Sequence, residues 1–216
     1  MERRLKKAGY EPVFFKHSPR VDGIFGAAEK LAKMLHQMQN HDIHFVTHSM
    51  GGLVLRAVSL QNIDSRHLRR AILIAPPNRG AIIMRKITSI QAGTPLWKLL
   101  YGEACHQLQP EGMAMTLPAP PCEFGIIAGG RNHNRGFSPL LSGDNDGTVT
   151  VASTILDGAH DFIILPHLHT SILWADDTID ETIAFLHGGV FLKPKIPADA
   201  VLMKNKPCSC GDRRQT

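Results

Sequence analysis

Ser49 has the setting of a nucleophile in this 216-residue chain. A short apolar run, Ile43 to Val46, has the length and residue types of a buried strand, and a helix-compatible run, Leu53 to Leu60, follows almost at once. Between them, Gly51 and Gly52 permit the close backbone approach that a sharp strand-to-helix turn requires. Such a turn lifts the serine hydroxyl above the sheet edge. It also sets the serine at a helix N-terminus, where free N–H groups meet developing negative charge. A serine hydroxyl is a weak nucleophile at neutral pH, so it needs a base within hydrogen-bond reach and an acid that orients the base. Downstream, Asp144 and Asp146 offer the carboxylate, and His167 and His169 offer the imidazole. Each pair follows an apolar run and falls in a loop, so one edge of a sheet would bring them to Ser49.

Plainer readings stand beside these. Ser49 also suits a helix N-cap, and Asp144-Asn145-Asp146-Gly147 also suits a turn. The same four residues mimic part of a calcium loop. In that frame, however, Ser142 takes the first ligand position and Ser153 stands where the bidentate Glu belongs. His167-Leu168-His169 has a spacing found in zinc sites, but no third ligand pairs with it clearly. No cofactor or metal is therefore expected. The remaining histidines, His36, His41 and His48 among them, are expected to face solvent.

The elements that must position these residues alternate. Glu2 to Ala8 reads as the last turns of a helix ended by Gly9. Pro12 to Phe15 reads as a short strand, and His17 to Asp22 as a loop. An amphipathic helix follows, with Ile24, Ala28, Leu31, Leu35 and Met38 on one face and Lys30, Lys33 and Gln37 toward water. After the Ser49 segment come strand candidates at Arg70–Ala75, Phe124–Ala128 and Asp161–Leu165. Ile82 to Leu108 reads as mostly helical, and Pro110 to Pro121 as a loop. Ala175 to His187 is the last helix, capped by Asp176 or Asp177 and closed by Gly188-Gly189, with Ile179, Ile183 and Leu186 inward. The alternation predicts an α/β fold, a mostly parallel sheet with helices on both faces.

Thr47-His48-Ser49-Met50-Gly51 resembles the nucleophile elbow of the α/β-hydrolase superfamily, in its bacterial lipase/esterase-like branch. One position departs, because the pattern usually opens with Gly where this chain has Thr47. Pro76-Pro77-Asn78-Arg79-Gly80 is similar to a loop of lipase-like hydrolases. Asp146-Gly147-Thr148-Val149 resembles the segment that carries the acid, and His169-Thr170-Ser171 the segment that carries the base. The resemblance implies the catalytic set Ser49, Asp146 and His169, with the backbone N–H of Met50 as an oxyanion donor. It implies cleavage of carboxylic esters, lipid-like or small, through an acyl-enzyme on Ser49. A thioesterase or an acyltransferase would use the same residues, and a non-catalytic remnant or binding module is the alternative from another class.

In that family the second oxyanion donor follows an earlier strand, often as His-Gly, and no such segment precedes Ser49. The expectation is an N-terminally incomplete hydrolase domain over residues 1–189, with a strand and an oxyanion loop upstream of Glu2. Residues 1–216 alone would then be marginally stable and weakly active.

Composition narrows the class. Apolar content of 43% and charged content of 20% are those of a globular domain with a sizeable core. No run is apolar and long enough to span a membrane, and no export signal follows the basic start, which leaves the cytoplasm as the default expectation. The net charge of +5 gathers in a C-terminal tail, residues 190–216, at Lys193, Lys195, Lys204, Lys206, Arg213 and Arg214. No aromatic residues interleave these charges, so a nucleic-acid partner is not expected. Cys105, Cys122, Cys208 and Cys210 form no repeated metal-binding spacing and read as free thiols.

Overall fold

The computed structural model describes residues 1–80 and 113–194. The expected helical stretch Ile82–Leu108 lies outside the described residues, as do Cys105, Cys208, Cys210 and the basic tail after residue 194.

Four strands form one parallel sheet in the order β1 (Ile43–His48), β2 (Leu68–Ile74), β3 (Glu123–Gly129) and β4 (Asp161–Leu165). Parallel neighbours need crossover connections, and helices supply those described: α3 (Met50–Val58) leads from β1 to β2, and the short α4 (Val151–Thr154) precedes β4. Strands buried on both faces read as continuous apolar runs, which is why Ala71-Ile72-Leu73-Ile74 shows no polar alternation. Side chains still alternate in direction. Ala71 and Leu73 join one core with Phe124, Ile126 and the helices α2 (Pro19–Gln37) and α3. Ile72 and Ile74 join the other with Ile127, Ile163, α1 (Glu2–Lys7) and α5 (Asp176–Gly188). Helices therefore cover both faces, as the alternation of elements predicts.

In α2, Ile24, Ala28, Leu31 and Leu35 are buried, with Met38 just beyond its end partly so, and Lys30, Lys33 and Gln37 are exposed, as the spacing predicts. The helix begins earlier than expected, at Pro19. It passes a non-helical Gly23 (φ 58°, ψ −162°), so part of the expected 17–22 loop is its first turn. In α5, Ile179 and Leu186 are buried, and Phe185, absent from the expected inner face, is fully buried too. Its ring occupies the space over Gly125, where a Cβ would come within 2.6 Å of it. Packing continues past the αL cap at Gly189: Phe191 is buried against Phe185, and its N–H donates to Asp161.

One expected element is corrected. Residues 11–18 form no strand, and Val13 and Phe14 are exposed. An extended segment becomes a strand by pairing, and Pro12 lacks an N–H to donate. Among the described residues, the sheet ends at β1, which pairs with β2 alone.

Candidate active site

The register brings the carboxyl ends of the strands to one edge, with His48 opposite Ile74, Ile74 opposite Ile127, and Ile127 opposite Ile163. The ladder continues into the loops through Ser49 N–H to Ile74 O (2.9 Å), Ala75 N–H to Ile127 O (2.8 Å) and Gly130 N–H to Leu165 O (3.0 Å). These bonds fix the points from which the loops leave, on the edge where parallel α/β sheets hold their sites.

Ser49 stands at φ 53°, ψ −124°, a conformation that a non-glycine residue holds only under constraint. The constraint comes from both sides. Its N–H is tied to β2, and Met50 already starts α3. Gly52 lets α3 approach the end of β2, because a Cβ there would come within 3.1 Å of Pro76. Thr47 is accommodated in place of the usual glycine: its hydroxyl donates to Ile72 O at 3.1 Å, and Gly51 opposite carries no side chain. Met50 is the first residue of α3, where a backbone N–H has no acceptor within the helix.

Across the site, the Ser49 hydroxyl lies 3.0 Å from His169 Nε2, and His169 Nδ1 lies 2.6 Å from Asp146 Oδ2. The structure thus brings together Ser49, His169 and Asp146. The order of contacts sets the tautomer: Nδ1–H donates to the carboxylate, and Nε2 is left to accept the serine proton. Asp146 is 1% exposed, and its Oδ1 accepts from Thr148 N–H (2.9 Å) and Val149 N–H (2.7 Å). A carboxylate buried this deeply requires such donors.

Asp144 and His167 stand apart from this line. Asp144 Oδ1 accepts from Arg131 N–H (2.7 Å) and Asn145 N–H (3.0 Å), so it shapes the loop rather than meeting His169. His167 Nε2 lies 2.7 Å from Asp177 Oδ1 on α5. The two imidazoles of His-x-His are thus engaged by different carboxylates. Among the described residues, no three metal-ligating side chains gather into one site.

Several residues that shape the site escape a reading of local pattern. Gly129 ends β3 and Gly130 follows it, both beneath the loop that carries Asp144 and Asp146. A Cβ on Gly129 would come within 2.6 Å of Asp146 Cβ, and one on Gly130 within 2.8 Å of Asp144 Oδ2. Their adjacency at a strand end was the available signal. Asn145 is fully buried; its Oδ1 accepts from Ser138 N–H (2.8 Å) and Gly147 N–H (3.0 Å), and its Nδ2 donates to Gly143 O (3.0 Å). His48 is corrected from solvent-facing to partly buried, with Nε2 on the His169 carbonyl at 2.8 Å. That partner lies 121 residues along the chain, beyond any local signal.

No protein-family model matches the sequence, and no curated protein matches it. Solved structures do. Lipase BlEst2 of Bacillus licheniformis in its mature form superposes with a TM-score of 0.56 at 21% identity, over 76% of this chain and 73% of the lipase. Phospholipase PlaB of Legionella pneumophila gives 0.61 at 13% identity, over 94% of this chain and 56% of that protein. The metagenomic carboxyl esterase MGS0156 gives 0.59 at 19% identity, over 79% and 58%. The chain thus spans little more than half the length of the phospholipase and the carboxyl esterase. The fold is the α/β-hydrolase fold that these lipases and esterases share.

Proposed function

We propose that the chain is a serine hydrolase that cleaves carboxylic esters through an acyl-enzyme on Ser49. The observation that carries this reading is the continuous relay from Ser49 Oγ to His169 Nε2 (3.0 Å) and from His169 Nδ1 to Asp146 Oδ2 (2.6 Å). The fold neighbours, a lipase, a phospholipase and a carboxyl esterase, support an ester as the substrate class.

In this mechanism Ser49 Oγ attacks the ester carbonyl carbon while its proton passes to His169 Nε2. Asp146 holds the imidazole in its Nδ1–H tautomer and stabilises the imidazolium that forms. The oxyanion of the tetrahedral intermediate takes a hydrogen bond from the N–H of Met50. The intermediate collapses as His169 gives its proton to the leaving alcohol. Water, deprotonated by the same nitrogen, then attacks the acyl-enzyme and releases the acid.

The test is covalent. A fluorophosphonate probe is expected to label wild-type protein at Ser49, Ser49→Ala to remove the label, and p-nitrophenyl ester turnover to vanish with it. Folded wild-type protein that neither labels nor turns over an ester would favour a non-catalytic binding module.

A further inference from the structure

His48 is the last residue of β1 and directly precedes Ser49, yet its side chain serves another part of the site. A carbonyl oxygen only accepts, so the 2.8 Å contact between His48 Nε2 and the His169 carbonyl requires a proton on His48 Nε2. The N–H of His169 donates in turn to the Asp146 carbonyl at 2.9 Å. Both polar groups of the His169 main chain are thereby held, one by the acid's residue and one by the nucleophile's neighbour. The two rings lie 4.8 Å apart at 45°, so His48 also walls one side of the imidazole.

We propose that His48 is a positioning residue, which holds the main chain of His169 against the nucleophile strand and thereby keeps Nε2 of the base on Ser49 Oγ. The inference rests on the hydrolase reading above. β1 is paired along its length with β2, whereas His169 sits in the loop between β4 and α5. The His48 contact passes the rigidity of the strand to the loop, and near-attack geometry of this kind is sensitive to displacements of about 1 Å. Burial first, and the charge of His169 second, hold His48 below the usual histidine range, against the opposing pull of its hydrogen bond to the His169 carbonyl and, less, of the Asp146 carboxylate. A neutral His48 keeps its donor without placing a second cation beside the imidazolium of His169.

The test pairs His48→Phe, which keeps a ring and loses the donor, with His48→Gln, which restores an N–H at similar reach. His48→Phe is expected to lower kcat on a p-nitrophenyl ester about 10-fold with KM changed less than about 2-fold, and to slow fluorophosphonate labelling in parallel. His48→Gln is expected to recover to within about 3-fold of wild type. Long-range proton–nitrogen NMR on the wild-type chain is expected to find His48 as the Nε2–H tautomer near about pH 7, whether or not the variants fold. Unchanged kcat in folded His48→Phe, no recovery in folded His48→Gln, or an Nδ1–H tautomer would each overturn the proposal. Failure of the hydrolase reading looks different: wild type would label no faster than Ser49→Ala, and the tautomer would then decide whether His48 holds His169.

Discussion

Asp146 and His169 meet twice, through the side chains at 2.6 Å and through the backbone, where His169 N–H donates to Asp146 O at 2.9 Å. Asp146 therefore holds both the ring and the loop of His169. Asp146→Asn is expected to lower kcat by up to ~10⁴-fold, because the amide sets the wrong tautomer. The backbone bond is unaffected, so the circular-dichroism melt should stay close to that of wild type. Steady-state kinetics on a p-nitrophenyl ester read the loss. A harmless Asp146→Asn beside a crippling Asp144→Asn would move the acid to Asp144. His169→Ala is expected to be inactive, and His167→Ala to keep its activity.

Gly129 lies beneath this pair. A Cβ there would stand 2.6 Å from Asp146 Cβ and 2.8 Å from His167 O, and neither the buried aspartate nor the backbone can yield cheaply. Gly129→Ala should shift the acid loop and cost about 10²-fold in kcat, in line with the sensitivity of positioned groups to small displacements. Kinetics together with a melting curve would check this; wild-type kcat in the alanine variant would show that the acid loop is free to move.

Asp177 joins three segments: its Oδ1 faces His167 Nε2 at 2.7 Å, and its Oδ2 faces Lys193 Nζ at 3.1 Å from its place in α5. Burial works to raise its pKa, but the hydrogen bonds from His167 and Lys193 outweigh burial and hold it below the usual carboxylate range. A depressed folded pKa contributes stability above the unfolded value of about 3.9 and loses it as pH falls through the folded value. Asp177→Asn should therefore melt below wild type at neutral pH, with the gap closing in acid below about pH 4. Thermal melts across pH read this directly, and a gap that stays constant to the acid limit would refute it.

Arg56 is a buried cation on α3, and the acceptors placed around its guanidinium are the Pro118, Leu117 and Asn78 carbonyls and the Asn78 side chain. Burial pushes it down to about 10, so it stays charged at neutral pH. It ties α3 to the loop after β2 and to residues 117–118. Arg56→Met keeps much of the stem packing and strips these acceptors of their donor, at about 1–3 kcal/mol for each group left unpaired. Four acceptors at the low end of that range give an expected loss of about 4 kcal/mol in a urea unfolding curve, with activity retained by the folded fraction. A variant as stable as wild type would show that water replaces the guanidinium.

Much of this molecule is legible from the chain alone, for a physical reason. Whether Ile43–Val46 or Asp161–Leu165 is a buried strand, whether residues 24–38 present an apolar face, and where a sharp turn lifts Ser49 all depend on neighbours within a few residues. Periodicity and glycine placement record them, and a parallel sheet then assembles the strand ends on one edge. Contacts between distant segments leave no such record. Phe14 reads as a strand residue by composition but finds no ladder to join among the described residues, and it stays exposed. His48 reads as a polar neighbour of the serine, and only the return of the β4–α5 loop gives its Nε2 a carbonyl to hold. Asp144 and Asp146 share one local chemistry. Gly129 and Gly130 beneath them, and the hydrogen bonds that their loop accepts, decide which carboxylate faces His169.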